Sequence, residues 1–364
     1  MKVLVIGGGV IGMAIALRLA DRGADAEVID RGLPGAEASS AAAGILAPQA
    51  ESSGPGPFLE LCLDSRARYP AFVAELEQRS GLEVGYQACG VLHAAFDEAQ
   101  AGRLDQTVAW QQKRGLRAEL LTRAQALGCE PGLNPAVLGA AHFPDDHQID
   151  NRLLVQALRT AAERAGVRFR RGAVRALISE GDRAVGVEVE GEALEAEAVV
   201  LAAGAWSSLI PGAQLAPATL TPIRGQMLQV QTQARALRHI LFSERGYLVP
   251  RADGRILAGS TMERVGFDKQ VTAEGLAEIR AMALALYPAL EPLPVQASWS
   301  GLRPFRGGER PLLGRGPLQR LCLATGHHRN GILLTPTTAL AIAALVLGEP
   351  SEVDLTPFAW DSAA

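Results

Sequence analysis

The stretch Lys2-Val3-Leu4-Val5-Ile6-Gly7-Gly8-Gly9-Val10-Ile11-Gly12 decides the fold class of this 364-residue chain. Its first five residues are mostly apolar and predict a buried β-strand. Apolar positions from Val10 to Arg22 predict a mostly buried helix, and Ala26–Asp30 predicts a second strand. Strand, glycine turn, helix and strand together make one βαβ unit, which implies a parallel sheet.

The glycines of this turn follow the pattern G-x-G-x-x-G, and Asp30 comes 18 residues (30 − 12) after Gly12. That context predicts a dinucleotide-binding turn. Gly7 permits the tight turn, Gly9 lets the backbone approach a pyrophosphate, and Gly12 lets helix and strand pack closely. The helix N-terminus would face the phosphates, and Asp30 would accept hydrogen bonds from ribose hydroxyls. The alternative is a glycine turn in an unrelated α/β protein, and the pattern alone does not separate FAD from NAD.

Two further segments favour FAD. The residues from Arg31 to Gly56 are dense in Gly, Ala, Ser and Pro, which predicts a long loop with a function. Within it, Ala38–Gly44 has no bulky side chain, so its backbone could run against a flavin; a flexible surface loop is the alternative. Gly326–Ile332 precedes an apolar helix from about Pro336 to Leu347, whose N-terminus would point at an electron-rich part of the flavin.

The rest of the chain predicts a second sheet and repeated crossings between two domains. Strands are indicated at Met227–Val230, Tyr247–Pro250 and Arg255–Ala258, with a hairpin turn at Asp253-Gly254, whereas Arg303 to Gly316 resembles a loop. We expect an α/β fold with a Rossmann-type FAD-binding domain built on a parallel sheet. An interleaved α+β substrate domain would carry a largely antiparallel sheet. The expected ranges are 1–85, 151–218 and 301–364 for the FAD-binding domain, and 86–150 and 219–300 for the substrate domain.

Composition argues against several other classes of protein. The formal net charge is −4 and the pI is about 5.9, so electrostatics give no case for binding nucleic acid or an anionic membrane. No stretch approaches the roughly 18 uninterrupted apolar residues of a membrane span. No secretory signal pattern is present, and we expect a cytoplasmic protein. The four scattered cysteines (Cys62, Cys89, Cys129 and Cys322) should be reduced packing residues. His142 and His147 beside Asp145 and Asp146 fit a solvated loop better than a metal site, so no metal is expected.

Seven motifs spread from Val5 to Thr338 resemble one flavoprotein family. They are VIGGGVIG, SSAAAGILAP, LAAGAW, GYLVPR, GRILAGSTME, SGLRP and GHHRNGILLTPTT. The chain is similar to the glycine oxidase branch of the D-amino acid oxidase and sarcosine oxidase family. The resemblance covers nearly the whole chain, and the last two motifs together are its most specific part.

The resemblance implies an activity. Noncovalent FAD would take a hydride from the substrate Cα, water would hydrolyse the resulting iminium to a 2-oxo acid, and O₂ would be reduced to H₂O₂. The substrate would be glycine or another small amine or D-amino acid, and the product could supply thiamin thiazole synthesis. We also expect a homo-oligomer. The alternatives are a D-amino acid dehydrogenase that uses another electron acceptor and a flavin-binding protein without catalysis.

The resemblance also implies the substrate site. Tyr247 and Arg303 match the family's carboxylate clamp, and Arg329 matches a second arginine near the substrate. Ile45, Met262 and Arg245 match pocket-lining positions. Arg245 replaces a histidine of known glycine oxidases and Ile45 replaces a methionine, so both bear on substrate size and charge. The alternatives are ordinary solvated or paired arginines and a merely structural Tyr247.

Cofactor contacts are expected along both glycine-rich regions and at the ends of central strands. No cysteine stands in the sequence context of covalent flavin attachment. The expected cofactor-binding residues are Gly7, Gly9, Val10, Ile11, Gly12, Asp30, Arg31, Ala38, Ser39, Ser40, Ala43, Gly44, Ile45, Val174, Ala203, Gly204, Trp206, His327, His328, Arg329, Asn330, Gly331, Ile332 and Leu333.

Overall fold

A computed structural model describes residues 1–232 and 236–360. Its strands, in chain order, are β1 (Lys2–Ile6), β2 (Asp25–Asp30), β3 (Ile45–Leu46), β4 (Val91–Ala95), β5 (Glu119–Thr122), β6 (Gly139–Phe143), β7 (His147–Gln148), β8 (Arg168–Arg171), β9 (Val174–Glu180), β10 (Arg183–Val189), β11 (Glu192–Glu195), β12 (Ala198–Leu201), β13 (Thr221–Gln231), β14 (Ile240–Ser243), β15 (Gly246–Pro250), β16 (Arg255–Gly259), β17 (Ala297–Phe305), β18 (Leu312–Arg315) and β19 (Leu321–Thr325).

The helices predicted to begin at Val10 and near Pro336 have bounds within two residues of the predicted ones. Among the described residues there are eight α-helices. They are α1 (Val10–Ala20), α2 (Ala38–Ala41), α3 (Pro57–Ser80), α4 (Glu98–Lys113), α5 (Arg123–Cys129), α6 (Asn151–Arg164), α7 (Ala273–Leu286) and α8 (Thr335–Leu347). Short 3₁₀ helices lie at Gly204–Leu209, Pro217–Thr219, Pro288–Leu290 and Thr356–Phe358.

The first sheet carries the glycine turn. Its strand order is β18-β19-β12-β1-β2-β8, and the central pairs β12–β1 and β1–β2 are parallel, which confirms the predicted βαβ unit. Helices α1, α3, α6 and α8 contribute to the apolar core on one face, where Leu17 and Ile342 are fully buried. A small antiparallel sheet of β9, β10 and β11 contributes to the core on the other face. The carboxyl ends of β1, β2 and β12 therefore lie together at one edge of a sheet that is packed on both faces.

The second sheet has the order β17-β13-β16-β15-β14-β4-β6-β5 and is antiparallel except between β14 and β4. Its strands come from two stretches of chain, and strands of the first sheet separate them in sequence. Helix α7 packs against β13, β15 and β16. Leu228, Leu248 and Met282 are buried in this apolar layer. Helix α7 thus covers one face of the second sheet, and the opposite face is available for a site.

Several predictions need correction. Arg303 to Gly316 is not one loop, because β17 runs through Phe305 and β18 begins at Leu312. Strand β17 also crosses the expected domain boundary at residue 300, so Arg303 lies on the second sheet. The predicted strand Met227–Val230 is the end of the much longer β13. The loop from Arg31 to Gly56 contains α2 and β3.

The segment from His142 to His147 is also not a solvated loop. His142 ends up half-buried on β6, and Asp146 is fully buried. Asp146 accepts a hydrogen bond from Arg66 Nη1 at 2.7 Å and another from the Ala50 backbone N–H at 2.8 Å. Among the described residues, no helix combines the length and apolar character needed to cross a membrane.

Candidate active site

The glycine turn between β1 and α1 has the geometry that its sequence predicts. Gly7 has φ +106°, and a Cβ there would lie under 3.0 Å from the Ala202 carbonyl oxygen. A Cβ on Gly12 would collide with the Gly7 carbonyl oxygen, so helix and strand pack at backbone distance. Gly9 immediately precedes the first turn of α1, whose N-terminus therefore faces the end of the sheet.

Asp30 lies at the end of β2 and is tied to this turn. Its Oδ2 accepts the Gly8 backbone N–H at 2.8 Å, and its Oδ1 accepts the Gly32 backbone N–H at 2.8 Å. Each carboxylate oxygen has a second lone pair, so the group can also accept from a ligand hydroxyl. The carboxylate is thereby fixed at the edge where the first sheet opens.

A cavity of about 620 Å³ runs from this edge to the free face of the second sheet. Its volume lies within the range of ligand and cofactor sites. Most of the expected site residues line it: Gly7, Gly9, Val10, Ile11, Asp30, Arg31, Ala38, Ser39, Ala43, Gly44, Ile45, Val174, Ala203, Gly204, Trp206, Arg245, Tyr247, Met262, Arg303, His327, His328, Arg329, Gly331 and Ile332.

Four expected cofactor residues lie behind the cavity wall instead. Gly12 lies in the close contact between α1 and the glycine turn, so it does not line the cavity. The Ser40 hydroxyl donates to the Gly35 carbonyl oxygen at 2.6 Å, so it is turned into its own loop. The Asn330 carbonyl accepts the Leu334 backbone N–H at 2.8 Å. The Leu333 carbonyl accepts the Ser65 hydroxyl at 2.6 Å. These residues shape the segments that carry the lining rather than the lining itself.

The small-residue loop is anchored on both sides, unlike a flexible surface loop. Ser39 Oγ accepts the Val10 backbone N–H at 3.1 Å, which joins the loop to the first turn of α1. The Ser39 carbonyl accepts Asn151 Nδ2 at 2.8 Å. The Gly44 carbonyl accepts the Ile149 backbone N–H at 2.9 Å. The loop backbone is therefore held as a fixed wall of the cavity.

Arg251 adds a further anchor that the sequence did not reveal as one. Its Nη2 donates to the Ala43 carbonyl at 2.8 Å, and its Nη1 donates to Gln148 Oε1. Only 3% of Arg251 is exposed, and this burial lowers its pKa to about 10. The residue ends the motif GYLVPR, but nothing local indicates that its side chain crosses to the loop.

Arg303 lies on β17, and its guanidinium reaches the cavity. Nη2 donates to Ser260 Oγ at 2.6 Å and Nη1 donates to the Thr261 carbonyl at 3.2 Å. Each terminal nitrogen carries two hydrogens, so both can also donate to a bound carboxylate. Burial lowers the pKa of Arg303, and the nearby Tyr247 opposes that shift. A guanidinium nevertheless stays charged in a protein.

Gly225 makes the room for this guanidinium. It lies on β13 opposite Gly301 of β17. A Cβ on Gly225 would lie under 3.0 Å from both terminal nitrogens of Arg303. The glycine was not among the expected site residues, because its role depends on a neighbouring strand.

Tyr247 lies on β15 of the same sheet. Its hydroxyl donates to Met227 Sδ at 3.5 Å, a weak contact that leaves the group able to bind a ligand. Its ring packs against Phe242 with 5.6 Å between centroids. The structure thus brings Tyr247 and Arg303 to one cavity wall although 56 residues (303 − 247) separate them in sequence.

The remaining expected substrate residues surround this pair. Arg329 lines the cavity, and its Nη2 lies 3.8 Å from Glu309 Oε1. Ile45 is half-buried on β3. Met262 lines the cavity with 58% of its surface exposed, so it lies at the opening. Arg245 occupies the tip of the turn between β14 and β15.

Glu51 and His93 also line the cavity, and sequence reasoning missed both. Burial raises the pKa of Glu51, while Arg329 and Arg303 act against that rise. Burial lowers the pKa of His93 to about 4, so its imidazole is neutral near pH 7. Glu51 follows the motif SSAAAGILAP closely in sequence, which is the one signal that could have pointed to it.

The segment before α8 closes the cavity opposite the glycine turn. Gly331 and Ile332 line it, and the Ile332 carbonyl accepts the Tyr69 hydroxyl at 2.5 Å. The His327 ring is buried with Nε2 3.2 Å from Thr338 Oγ1, and burial lowers its pKa to about 3. The first turn of α1 and the segment just before α8 therefore line one cavity from different parts of the chain.

Comparison with known proteins agrees with this geometry. The profile of the FAD dependent oxidoreductase family DAO matches residues 2–345. The glycine oxidase of Geobacillus kaustophilus is 36% identical over 98% of this chain and 95% of its own length. The crystal structure of glycine oxidase from the same organism superposes with a TM-score of 0.93, at 35% identity and 99% coverage of both chains.

A bifunctional protein ThiO/ThiG of Synechocystis sp. is 40% identical over 95% of this chain and 52% of its own length. The chain thus spans about half the length of the bifunctional relatives and nearly all of the single-function glycine oxidase. The family profile covers most of the chain, and the cavity between the sheets has the glycine turn, fixed acidic residue and volume that a dinucleotide needs. The chain belongs to the DAO family of FAD-dependent oxidoreductases.

Proposed function

We propose that this oxidoreductase oxidises the C–N bond of glycine or a similarly small amine or D-amino acid. The observation that carries the proposal is the pairing of Arg303 and Tyr247 on one wall of the cavity. A guanidinium binds a carboxylate through a two-bond fork, and a phenol can donate a third bond. The glycine oxidase named among the relatives supports the choice of substrate class.

The residues at the other end of the cavity would hold the FAD. Gly7 and Gly9 give the pyrophosphate room at the N-terminus of α1, and Asp30 would accept from the ribose hydroxyls. The anchored backbone of Ala38–Gly44 would run along the flavin, as would Gly331 and Ile332 before α8. When bound, the flavin would supply a two-electron acceptor for the hydride of the substrate Cα, with O₂ as the final electron acceptor.

The chain's own contribution to the reaction is positioning. Arg303 and Tyr247 would fix the carboxylate, which leaves the Cα hydrogen in one orientation toward the cofactor. Ile45 and Met262 would limit the volume beside Cα, so small substrates are preferred. An amine that binds neutral needs no general base. Water would then hydrolyse the released iminium to a 2-oxo acid and ammonia or an amine. We propose that the imine can alternatively supply thiamin thiazole synthesis.

Kinetics of Arg303 variants test this proposal. A hydrogen bond to a charged group contributes roughly 1.5–3 kcal/mol, and a fork has about two of them. Arg303→Ala should therefore lower kcat/KM for glycine by about 10²-fold or more. Arg303→Lys should recover only part, because a point charge cannot reproduce the fork. FAD content is measured in each variant by absorbance of the released flavin.

The proposal fails under a specific result. If Arg303→Ala keeps its flavin and loses less than about threefold in kcat/KM on every amino acid tested, Arg303 does not anchor a carboxylate. Arg175→Ala is the matched control, since this exposed arginine lies on β9 and is not part of the cavity lining. The control variant should behave like the wild type on every substrate.

A further inference from the structure

Arg245 stands apart from the arginines already assigned to the carboxylate. It lies in the two-residue turn Glu244-Arg245 between β14, which ends at Ser243, and β15, which begins at Gly246. Its backbone N–H donates to Ser243 Oγ at 3.2 Å, which supports the tight turn. The side chain is exposed and lines the cavity at its opening, two residues before Tyr247.

The two residues of this turn have different surroundings. Glu244 is paired with Arg103, whose Nε donates to Glu244 Oε1 at 2.7 Å. Within the described ranges, no acidic side chain comes within 4.0 Å of the Arg245 guanidinium, so Arg245 forms no such pair. The turn therefore presents a guanidinium at the cavity opening without a partner carboxylate of the chain.

Positive charge is in excess at this end of the cavity. Arg245, Arg303 and Arg329 line it, against the acidic Glu51 and Glu244. Glu244 is paired with Arg103, and Arg329 lies 3.8 Å from Glu309, so Arg245 and Arg303 remain against Glu51. A substrate with one carboxylate on Arg303 would still leave the cation of Arg245 at the opening. Cavities lined by one sign of charge raise the local concentration of ligands with the opposite charge.

We propose that Arg245 binds a second carboxylate of the substrate, so that the substrate class includes small amino acids and N-substituted glycines with two carboxylates. This rests on the proposed function, since one carboxylate must sit on Arg303 for the other to reach the opening. The exposed position of Arg245 on its turn would place the second carboxylate where the cavity opens to solvent. A guanidinium suits this task because it can hold a carboxylate through two parallel bonds.

Matched pairs of substrates test the proposal in the holoenzyme. N-(carboxymethyl)glycine is compared with N-(carbamoylmethyl)glycine, and D-aspartate with D-asparagine, because each pair differs by a charge at nearly constant shape. The first pair extends the substrate from nitrogen and the second from Cα, so the pairs locate the second carboxylate. The readout is the ratio of kcat/KM for acid over amide within each enzyme, which cancels differences in flavin content.

The wild type should favour the acid of at least one pair by about tenfold, mainly through KM, and added salt should reduce the ratio. In Arg245→Gln the ratio should fall to about one, and in Arg245→Glu it should fall below one. Arg175→Gln changes the net charge equally on exposed β9 and should keep the wild-type ratio.

Three outcomes would overturn the proposal. A wild-type ratio near one for both pairs, with glycine oxidised normally, removes the second anion site and leaves the proposed function intact. A tenfold ratio that persists in Arg245→Gln assigns the second carboxylate to another residue. A wild type that oxidises neither glycine nor any of the four probes refutes the proposed function and this inference with it.

Discussion

Replacing Gly225 by alanine should damage substrate binding without removing any group proposed to contact the substrate. The added Cβ would lie under 3.0 Å from both terminal nitrogens of Arg303, whereas ordinary contacts of a Cβ are 3.4–4 Å. The guanidinium must therefore withdraw by about 1 Å. A displacement of that size at a positioning group can cost about 10²-fold in rate. Withdrawal also strains the hydrogen bonds of Arg303 to Ser260 Oγ and the Thr261 carbonyl.

We expect Gly225→Ala to lower kcat/KM for glycine by about 10- to 100-fold, less than complete removal of the guanidinium in Arg303→Ala. The double variant Gly225→Ala/Arg303→Ala should be no worse than Arg303→Ala, since the alanine acts only through Arg303. The assay is steady-state oxidation with flavin content and thermal unfolding measured for each variant.

Gly308→Ala is the control, because a Cβ at Gly308 meets no atom within 4 Å. That variant should retain wild-type kcat/KM. The reasoning is refuted if Gly225→Ala binds flavin normally and keeps kcat/KM within twofold of wild type. It is equally refuted if the losses of the two single variants simply multiply in the double variant.

Three shorter predictions concern the cofactor, the tyrosine and pH. Acid precipitation should release all of the flavin into the supernatant, and Gly9→Leu should abolish FAD retention, because its side chain would occupy the pyrophosphate position; flavin in the pellet would contradict noncovalent binding. Tyr247→Phe removes one hydrogen bond and should lower kcat/KM about tenfold at unchanged flavin content. The pKa of His327 is lowered from 6.5 to about 3 by burial, so between these values the unfolded chain binds a proton that the folded chain does not. The free energy of unfolding should therefore fall as the pH falls below 6.5. When denaturation is measured at several pH values, the slope of this free energy against pH should be smaller in His327→Gln than in the wild type, by up to about 1.4 kcal/mol per pH unit.

Local patterns explain why the βαβ unit of the first sheet could be predicted closely. The strand, the glycine turn and α1 lie within 20 residues, and each follows from neighbouring side chains. Strand β1 has the predicted bounds, and α1 begins at Val10 as its apolar spacing indicates. The family motifs also identify cavity residues that lie far apart in sequence. They can do so only because the resemblance brings with it the folded arrangement of the family.

The mistaken loop from Arg303 to Gly316 shows where local patterns fail. Its many arginines and glycines favour a loop, and Gly301 and Pro304 look like strand breakers within β17. Strand β17, however, is an edge strand of the second sheet, so the missing N–H of Pro304 costs little there. Gly301 lies against Ala41 of α2, where a Cβ would come under 3.0 Å from the Ala41 Cβ. Both residues reflect contacts with distant parts of the chain, which a single sequence does not display.

The same reasoning explains how the second sheet can carry both residues of the proposed carboxylate clamp. Arg303 lies on β17 and Tyr247 on β15, with β13 and β16 between them. Three spacings of about 4.8 Å separate the two backbones by roughly 14 Å, so both side chains must extend across the sheet. Glycines on the intervening strands leave that surface bare. A Cβ on Gly225 would meet the Arg303 guanidinium, and a Cβ on Gly259 would lie 3.4 Å from Tyr247 Cε2 and under 3.0 Å from Met227 Sδ.

The proposed clamp therefore depends on four strands rather than on two residues. A side chain added at Gly225 or Gly259 would fill the space that Arg303 and Tyr247 cross. The strands β13 and β16 therefore limit how far the side chains of Arg303 and Tyr247 can move. Helix α7 packs against β13, β15 and β16 and holds these strands in place. Substitutions at these glycines should change carboxylate binding while leaving the cofactor end of the cavity, which is built on the other sheet, able to retain flavin.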